Sequence, residues 1–155
     1  DELDGLLGAL AARRDELANQ HGRLAPMALK VAPDLEDGAV QVIADIVSRH
    51  GMDAVIATNT TIDRDMVAGL KHAEETGGLS GAPLKDKADR TLAALREALP
   101  DDIAMIGVGG ITSGQDAVDK LKLGAELVQF YTGMVYRGPE LVTECLDAIA
   151  AYRKA

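Results

Sequence analysis

The chain has 155 residues, of which 47% are hydrophobic and 26% charged, as expected for one globular domain rather than a disordered segment. Its formal net charge of −9 argues against a general nucleic-acid-binding or anionic-membrane surface, although backbone N–H groups can still bind a phosphate locally. Cys145 is the single cysteine, so an internal disulfide is impossible and a reducing compartment fits.

Hydrophobic spacing predicts an opening helix, DELDGLLGALAARRDELANQHG, followed by four strand–helix units. The strands are the apolar runs within APMALKVAPD, MDAVIATNTT, DIAMIGVGGI and ELVQFYTG. The helices that follow them are LEDGAVQVIADIVSRHG, KDKADRTLAALREALP, SGQDAVDKLKLGA and GPELVTECLDAIAAYRK. We expect Ser113 to be the N-cap of the third of these helices and Cys145 to be a buried, inert thiol in the last. No apolar run approaches the ~20 residues that span a bilayer.

Continuous apolar strands that alternate with helices indicate a parallel α/β sheet covered on both faces. Two architectures fit this pattern, namely a small doubly wound sheet and half of an eight-stranded barrel. Each strand ends in unusual residues, which are Lys30 and Pro33, 58–60, 107–110 and 131–133. In a barrel the C-terminal ends of all strands meet at one mouth. In an open sheet the ligand-binding site is concentrated at the switch point. The pattern therefore favours the barrel.

Glycine turns follow the third and fourth strands, at 107–110 and 131–134, and each precedes a segment with helical spacing. Glycine lets a ligand approach the backbone closely, and a helix N-terminus adds oriented N–H donors, so both turns are candidate phosphate sites. Tight βα turns also favour glycine without any ligand, and the sequence leaves both interpretations open. The dinucleotide fingerprint G-x-G-x-x-G is absent from the third-strand turn.

Lys30 lies inside an apolar strand, between Leu29 and Val31, with no apparent solvent face. Burying an unpaired ammonium group is costly, so a functional role is favoured. At a barrel mouth the charge would offset negative charge on a substrate or a cofactor ring. The plainer alternative is an edge-exposed or snorkelling lysine.

The connection between the second strand and its helix, residues 59–83, is much longer than the roughly 2–6 residues usual for a βα loop. Long loops at this edge of a sheet are often lids or binding loops. We interpret His72, within this loop, as a solvated surface histidine. No set of His, Cys and carboxylate residues has metal-ligand spacing, so we predict no metal site.

Three acidic residues lie just before the helix that follows the first strand. Asp34, Glu36 and Asp37 are typical of an N-cap and an acidic first turn. Carboxylates there stabilise the positive end of the helix dipole. We therefore expect a structural rather than a functional role for them.

Five segments, taken in order, resemble class 2 dihydroorotate dehydrogenase, the FMN-dependent, quinone-reducing (β/α)8-barrel enzyme of pyrimidine biosynthesis. They are LKVAPD, VIATNTT, TGGLSGAPL, IGVGGI and LVQFYTG. The resemblance implies that residues 1–155 are a partial FMN-binding domain, the C-terminal half of a TIM barrel with about four βα units, whose N-terminal half is absent. Alternatives are another FMN barrel, such as the class 1 enzyme, and a non-catalytic phosphate-binding half-barrel module.

The resemblance assigns FMN-binding roles to six residues and substrate-binding roles to two. The FMN-binding residues would be Lys30, Thr58, Gly81, Gly110, Tyr131 and Thr132. Lys30 would lie against the flavin ring, and the later residues would bind mainly through main-chain groups around the phosphate. Asn59 and Thr60 would hydrogen-bond the pyrimidine ring of dihydroorotate.

The family's catalytic base, a serine in class 2, belongs to the first half of the barrel, so we expect no catalytic residue in this chain. Neither Ser80 nor Cys145 matches that motif. The implied partners are dihydroorotate or orotate and a quinone, with no nucleic acid. Membrane contact would arise only through the missing N-terminal segment. The full-length protein is thus expected at the cytoplasmic side of the membrane, as a peripheral protein, and the fragment alone is expected to be soluble and inactive.

Overall fold

A computed structural model describes residues 2–154. These residues form helices α1 (Glu2–His21), α2 (Ala39–Arg49), α3 (Lys85–Ala98), α4 (Gly114–Lys122), α5 (Thr132–Arg137) and α6 (Glu140–Tyr152). The strands are β1 (Ala28–Val31), β2 (Ala54–Ala57), β3 (Ala104–Val108) and β4 (Leu127–Gln129). The predicted order of strands and helices is confirmed. The long β2–α3 connection contains only two short 3₁₀ turns, Asp65–Val67 and Ala82–Leu84.

The four strands described within residues 2–154 form one parallel sheet in the order β1-β2-β3-β4. The register aligns Val31 with Ala57, Ala57 with Gly107, and Gly107 with Val128. A doubly wound sheet reverses its strand order at a switch point, and this sheet does not. Strands that succeed one another in chain order, joined by helices, are the arrangement found in a (β/α)8 barrel.

The hydrophobic core lies between one face of the sheet and the helices, because alternate strand residues point to opposite faces. Val55 and Met105 point to that face from β2 and β3, and both are fully buried. The helical residues packed against them share aliphatic side chains at helical spacing and include Leu7, Ile43, Val47, Leu92 and Leu95. The alternation places one stripe of each helix in the core.

A smaller apolar cluster joins α4 to α6. It consists of Ile111, Ala117, Leu141 and Cys145, with Val128 of β4 packed against it. Cys145 is buried, as predicted, and burial raises the pKa of its thiol. A protonated, enclosed thiol fits the expected inert role.

The opposite face of the sheet is largely uncovered, which corrects the expectation of strands buried on both faces. Lys30, Leu127 and Gln129 are exposed on this face, and Leu127 is 62% exposed. Ile106 and Val108 of β3 are only half-buried there. The described helices pack on the other face, so this face has no second layer. No helix within residues 2–154 is long and apolar enough to cross a membrane.

Candidate active site

The carboxyl ends of all four strands meet at one edge of the sheet and line a cleft of about 100 Å³. The cleft brings together every site residue nominated from the sequence: Lys30, Thr58, Asn59, Thr60, Gly81, Gly110, Tyr131 and Thr132. Parallel strands impose this convergence, because their C-terminal ends face the same way. The individual roles of these residues remain predictions.

The segment after β2 is fixed by backbone hydrogen bonds to the strands on both sides. The Thr58 N–H donates to Val108 O at 3.0 Å, and the Asn59 N–H donates to Val31 O at 2.7 Å. Thr58 is 1% exposed, and its hydroxyl donates to the Asn59 carbonyl at 2.8 Å. The Ala57–Thr58 peptide bond is cis. Asn59 itself is exposed, so its side-chain amide is available to a ligand in the cleft.

Thr60 and Thr61 are held against the returning arm of the long β2–α3 loop. Thr61 and Leu79 exchange backbone hydrogen bonds, at 3.1 Å and 2.7 Å. This two-residue antiparallel bridge places Gly78 directly against the Thr60 side chain. The loop therefore closes over the polar end of β2, and its role as a binding loop stays a prediction.

Glycines at the cleft permit close backbone approach. Gly109 and Gly110 have φ values of 106° and 76°, which favour glycine. A side chain on Gly110 would overlap the backbone of Lys85, and a Cβ on Gly81 would lie 2.9 Å from Thr132 Cγ2. The Gly110 contact is a packing reason for glycine that needs no ligand, so both interpretations of the third-strand turn stay open.

The two helix N-termini at the cleft differ. Ser113 caps α4, as predicted, accepting the Asp116 N–H at 3.2 Å, while Asp116 accepts the Thr112 N–H at 3.0 Å. At the start of α4 the Asp116 N–H is therefore already taken by Ser113. No side chain in residues 2–154 caps α5, and its first residue, Thr132, shares a 2.7 Å hydrogen bond with the Ser80 hydroxyl.

Lys30 is exposed, contrary to the expectation of a lysine without a solvent face. Its side chain leaves β1 on the uncovered face, beside Ile56 of β2. No carboxylate in the described part of the chain pairs with it at 4.0 Å or less, so its charge is available at the cleft. The apolar neighbours that suggested burial, Leu29 and Val31, point to the opposite, helix-covered face.

Asp34 has a role that the sequence did not indicate. α2 begins at Ala39 after Gly38, so the acids at 34, 36 and 37 precede the helix and do not cap it. Asp34 instead accepts the Thr61 hydroxyl at 2.6 Å and the Ile62 N–H at 3.0 Å. Its position just after β1, at the same edge as 58–60, was the signal available in the sequence.

Lys120 is the second unexpected residue, because it is 0% exposed on a helix that reads as amphipathic. Its Nζ lies 2.7 Å from Asp89 and 3.4 Å from the Val108 carbonyl. Burial lowers the pKa of Lys120, and Asp89 partly offsets that shift. The buried pair links α4 to α3 beneath the end of β3.

Histidines and carboxylates stay outside the cleft. His72 is exposed and pairs with Glu75 at 2.5 Å, as expected of a surface histidine. Across residues 2–154, no group of three or more His, Cys, Asp and Glu residues is placed to hold a metal ion.

Comparison with known proteins identifies the family. The family model described as dihydroorotate dehydrogenase matches residues 6–152. A relative named dihydroorotate dehydrogenase (quinone), from Delftia acidovorans, is 55% identical over 153 residues, which are 99% of this chain and 44% of the relative. The protein of the same name from Bordetella pertussis is 56% identical, with 97% of this chain and 43% of the relative covered.

A solved structure gives the same result. The Eimeria tenella DHODH structure, in complex with ferulenol, matches with a TM-score of 0.88 and 31% identity, covering 95% of this chain and 43% of that one. The fold is therefore part of a TIM barrel, as predicted. The chain spans less than half the length of the relatives it matches.

Proposed function

We propose that this chain, which belongs to the dihydroorotate dehydrogenase family, supplies the cofactor- and substrate-binding mouth of an FMN-dependent, quinone-reducing dihydroorotate dehydrogenase. The supporting observation is the convergence of Lys30, 58–60, Gly110 and Tyr131–Thr132 in one cleft. The remaining βα units would come from the portion of the barrel that this chain does not cover. That portion would also carry any peripheral contact with the cytoplasmic face of the membrane.

The cleft fits FMN in its chemistry. Gly81 and Gly110 line the cleft, and Tyr131 and Thr132 stand at the start of a helix without a side-chain cap. These groups would hold the phosphate end, while Lys30 and Thr58 would contact the flavin ring. When bound, FMN would accept a hydride from dihydroorotate and pass electrons to a quinone. The charge of Lys30 would favour an anionic ring beside it.

Asn59 and Thr60 would hold the substrate. The Asn59 amide both donates and accepts hydrogen bonds, which suits a pyrimidine ring with adjacent N–H and C=O groups. Backbone bonds to Val31 and Val108 fix the segment that carries the amide, so it is oriented before the substrate arrives. Such orientation favours reaction because fewer degrees of freedom are lost when the reactants meet.

The proton of dihydroorotate C5 needs an acceptor from elsewhere in the barrel. Among the described residues that line the cleft there is no histidine, cysteine or carboxylate. Ser80 is the serine of the cleft, and its hydroxyl is hydrogen-bonded to Thr132. The chain would therefore bind and orient FMN and dihydroorotate. The catalytic base would belong to the portion of the barrel that this chain does not cover.

The test uses what we call the complete enzyme: this chain joined to the portion of the Delftia acidovorans relative that it does not cover. Purified protein should contain FMN and oxidise dihydroorotate with a quinone as acceptor. Activity with a soluble acceptor but none with quinone would favour the class 1 alternative. A colourless protein with no turnover would favour the non-catalytic module.

A further inference from the structure

Asp34, Thr61 and Lys87 form a compact polar cluster behind the substrate end of the cleft. Lys87 Nζ lies 2.6 Å from Asp34 Oδ1, which also accepts the Thr61 hydroxyl at 2.6 Å. The second Asp34 oxygen accepts the Ile62 N–H at 3.0 Å. Lys87 also reaches Asp63 at 3.1 Å. Both oxygens of one carboxylate are thus engaged by the segment that follows Thr60.

Partial burial makes the cluster stronger than a surface ion pair. Thr61 is 3% exposed, and the side chains of Asp34 and Lys87 are 21% and 30% exposed. A hydrogen bond to Asp34 raises the pKa of Lys87. Burial opposes ionisation of Asp34, but the hydrogen bonds from Lys87 and Thr61 outweigh it and lower the pKa of Asp34. Asp34 and Lys87 are therefore both charged and paired at neutral pH.

The cluster ties together three elements that are distant in sequence. Asp34 follows β1, Thr61 follows β2, and Lys87 lies in the first turn of α3. Asn59 and Thr60 lie between two fixed points: the Asn59 N–H bonded to Val31, and Thr61 bonded to Asp34. The bond from Thr61 to Asp34 therefore fixes the chain on the C-terminal side of these two residues.

Neither Lys87 nor Asp34 lines the cleft. Lys87 lies instead at a separate surface pocket, beside Met66 and Pro83. Any influence on a ligand must therefore pass through Thr61. We infer that Lys87 and Asp34 are positioning residues that set the substrate-binding geometry of Asn59 and Thr60. This inference rests on the proposed function, because it takes these two residues as the substrate-binding groups.

The test compares Lys87→Met, Lys87→Arg and Lys71→Met in the complete enzyme. Methionine keeps the length of Lys87 and removes its charge, whereas arginine keeps the charge and can pair with both carboxylates. Lys71 is an exposed lysine of the β2–α3 loop and controls for loss of one positive charge. The readouts are FMN content, the KM for dihydroorotate, and the Kd of orotate measured from the perturbed flavin spectrum.

We expect Lys87→Met to raise the KM and the orotate Kd by about tenfold, because misplaced binding groups lose much of their effect. FMN content should stay at the parent value, Lys87→Arg should restore most of the affinity, and Lys71→Met should match the parent. KM and Kd values within twofold of the parent for Lys87→Met would overturn the inference. So would an equal loss of FMN, which would indicate general loosening of the barrel.

Asp34→Asn supplies a second route if Lys87→Met does not fold. Asparagine still accepts the Thr61 hydroxyl but weakens the bond to Lys87, so KM and Kd should rise by a smaller factor at unchanged FMN content. No rise would again contradict the inference. Failure of the proposed function is distinguishable, because the parent enzyme itself would then bind no orotate.

Discussion

Gly78 lies directly against the side chain of Thr60, and a methyl group in place of its hydrogen would overlap the Thr60 hydroxyl and Cβ. Thr60 also belongs to the segment tied to Leu79 by the Thr61 bridge. The glycine-rich loop therefore shapes the Thr60 end of the cleft, because Gly78 has no side chain there. The room left by Gly78 is where Thr60 places its hydroxyl.

Gly78→Ala should displace Thr60 and raise the KM for dihydroorotate in the complete enzyme by about tenfold or more, since small misplacements of binding groups are costly. FMN content should be retained, because Gly81 and Gly110 are untouched. Gly77→Ala is the matched control: its Cβ meets open space, but φ of 118° strains the backbone. It should lower stability with little change in KM. Equal KM values for both variants would show that loop strain, rather than contact with Thr60, matters.

Asn59→Ala should impair turnover of dihydroorotate while FMN stays bound. The side chain is exposed in the cleft, whereas its backbone is fixed by Val31, so truncation removes the amide and leaves the fold intact. We expect a loss of about 10²-fold in kcat/KM, the scale for losing an orienting contact. Asn19→Ala, at an exposed position of α1, controls for the substitution itself. Normal kinetics of Asn59→Ala would rule out a substrate-binding role for Asn59.

The buried Lys120–Asp89 pair should couple strongly in a double-mutant cycle. Asp89→Leu leaves a fully buried ammonium without its 2.7 Å partner and should destabilise the protein by about 3–5 kcal/mol. Lys120→Met combined with Asp89→Leu should recover much of that loss, since no unpaired buried charge remains. Lys122→Met, half-exposed on the same helix, should change the free energy of unfolding by less than about 0.5 kcal/mol. If the two single substitutions change the free energy of unfolding additively in urea denaturation, the two residues are not coupled.

Acid should destabilise the protein through Asp34 and Asp116. Burial opposes ionisation of Asp116, but hydrogen bonds from the Thr112 N–H and the Ser113 hydroxyl outweigh it and lower its pKa. A carboxyl group with a lowered folded-state pKa stabilises the protein above its unfolded value, near 3.9, and loses that contribution as the pH falls through the folded value. Stability should therefore fall below about pH 4.

Asp116→Asn should be less stable than the parent at pH 7 and should lose less stability below about pH 4. Asp101→Asn, at a fully exposed position, provides the comparison. Thermal unfolding measured from pH 7 downward gives both curves. If the stability of Asp116→Asn and that of the parent fall in parallel with pH, Asp116 is not the source of the acid sensitivity.

Local pattern was enough to predict the strands, the helices and the common edge. Apolar spacing placed each strand, and parallel topology then forced the unusual residues at 58–60 and 107–110 to the same mouth. Ser113 was predictable as a cap because its chemistry acts within one turn. FMN and dihydroorotate entered only through the resemblance, since spacing and composition carry no information about which ligand fills a cleft.

The predictions that were wrong share one cause. The environment of each residue depends on contacts with residues that are distant in sequence. Lys30 looked buried because its sequence neighbours are apolar, but it leaves the strand on the uncovered face. Asp34 looked like a helix cap, yet its partners lie at 61 and 87. No prediction was made for Lys120, whose burial beside Asp89 of α3 likewise depends on a residue distant in sequence.

The most direct test of the central claim is anaerobic addition of dihydroorotate to the complete enzyme while the visible flavin absorbance is followed. If the ends of β1–β4 form the mouth where cofactor and substrate meet, the absorbance should bleach in proportion to the dihydroorotate added. The Asn59→Ala variant should keep its flavin colour and bleach far more slowly. A complete enzyme that carries no flavin, or whose flavin is not reduced by dihydroorotate, would contradict the account.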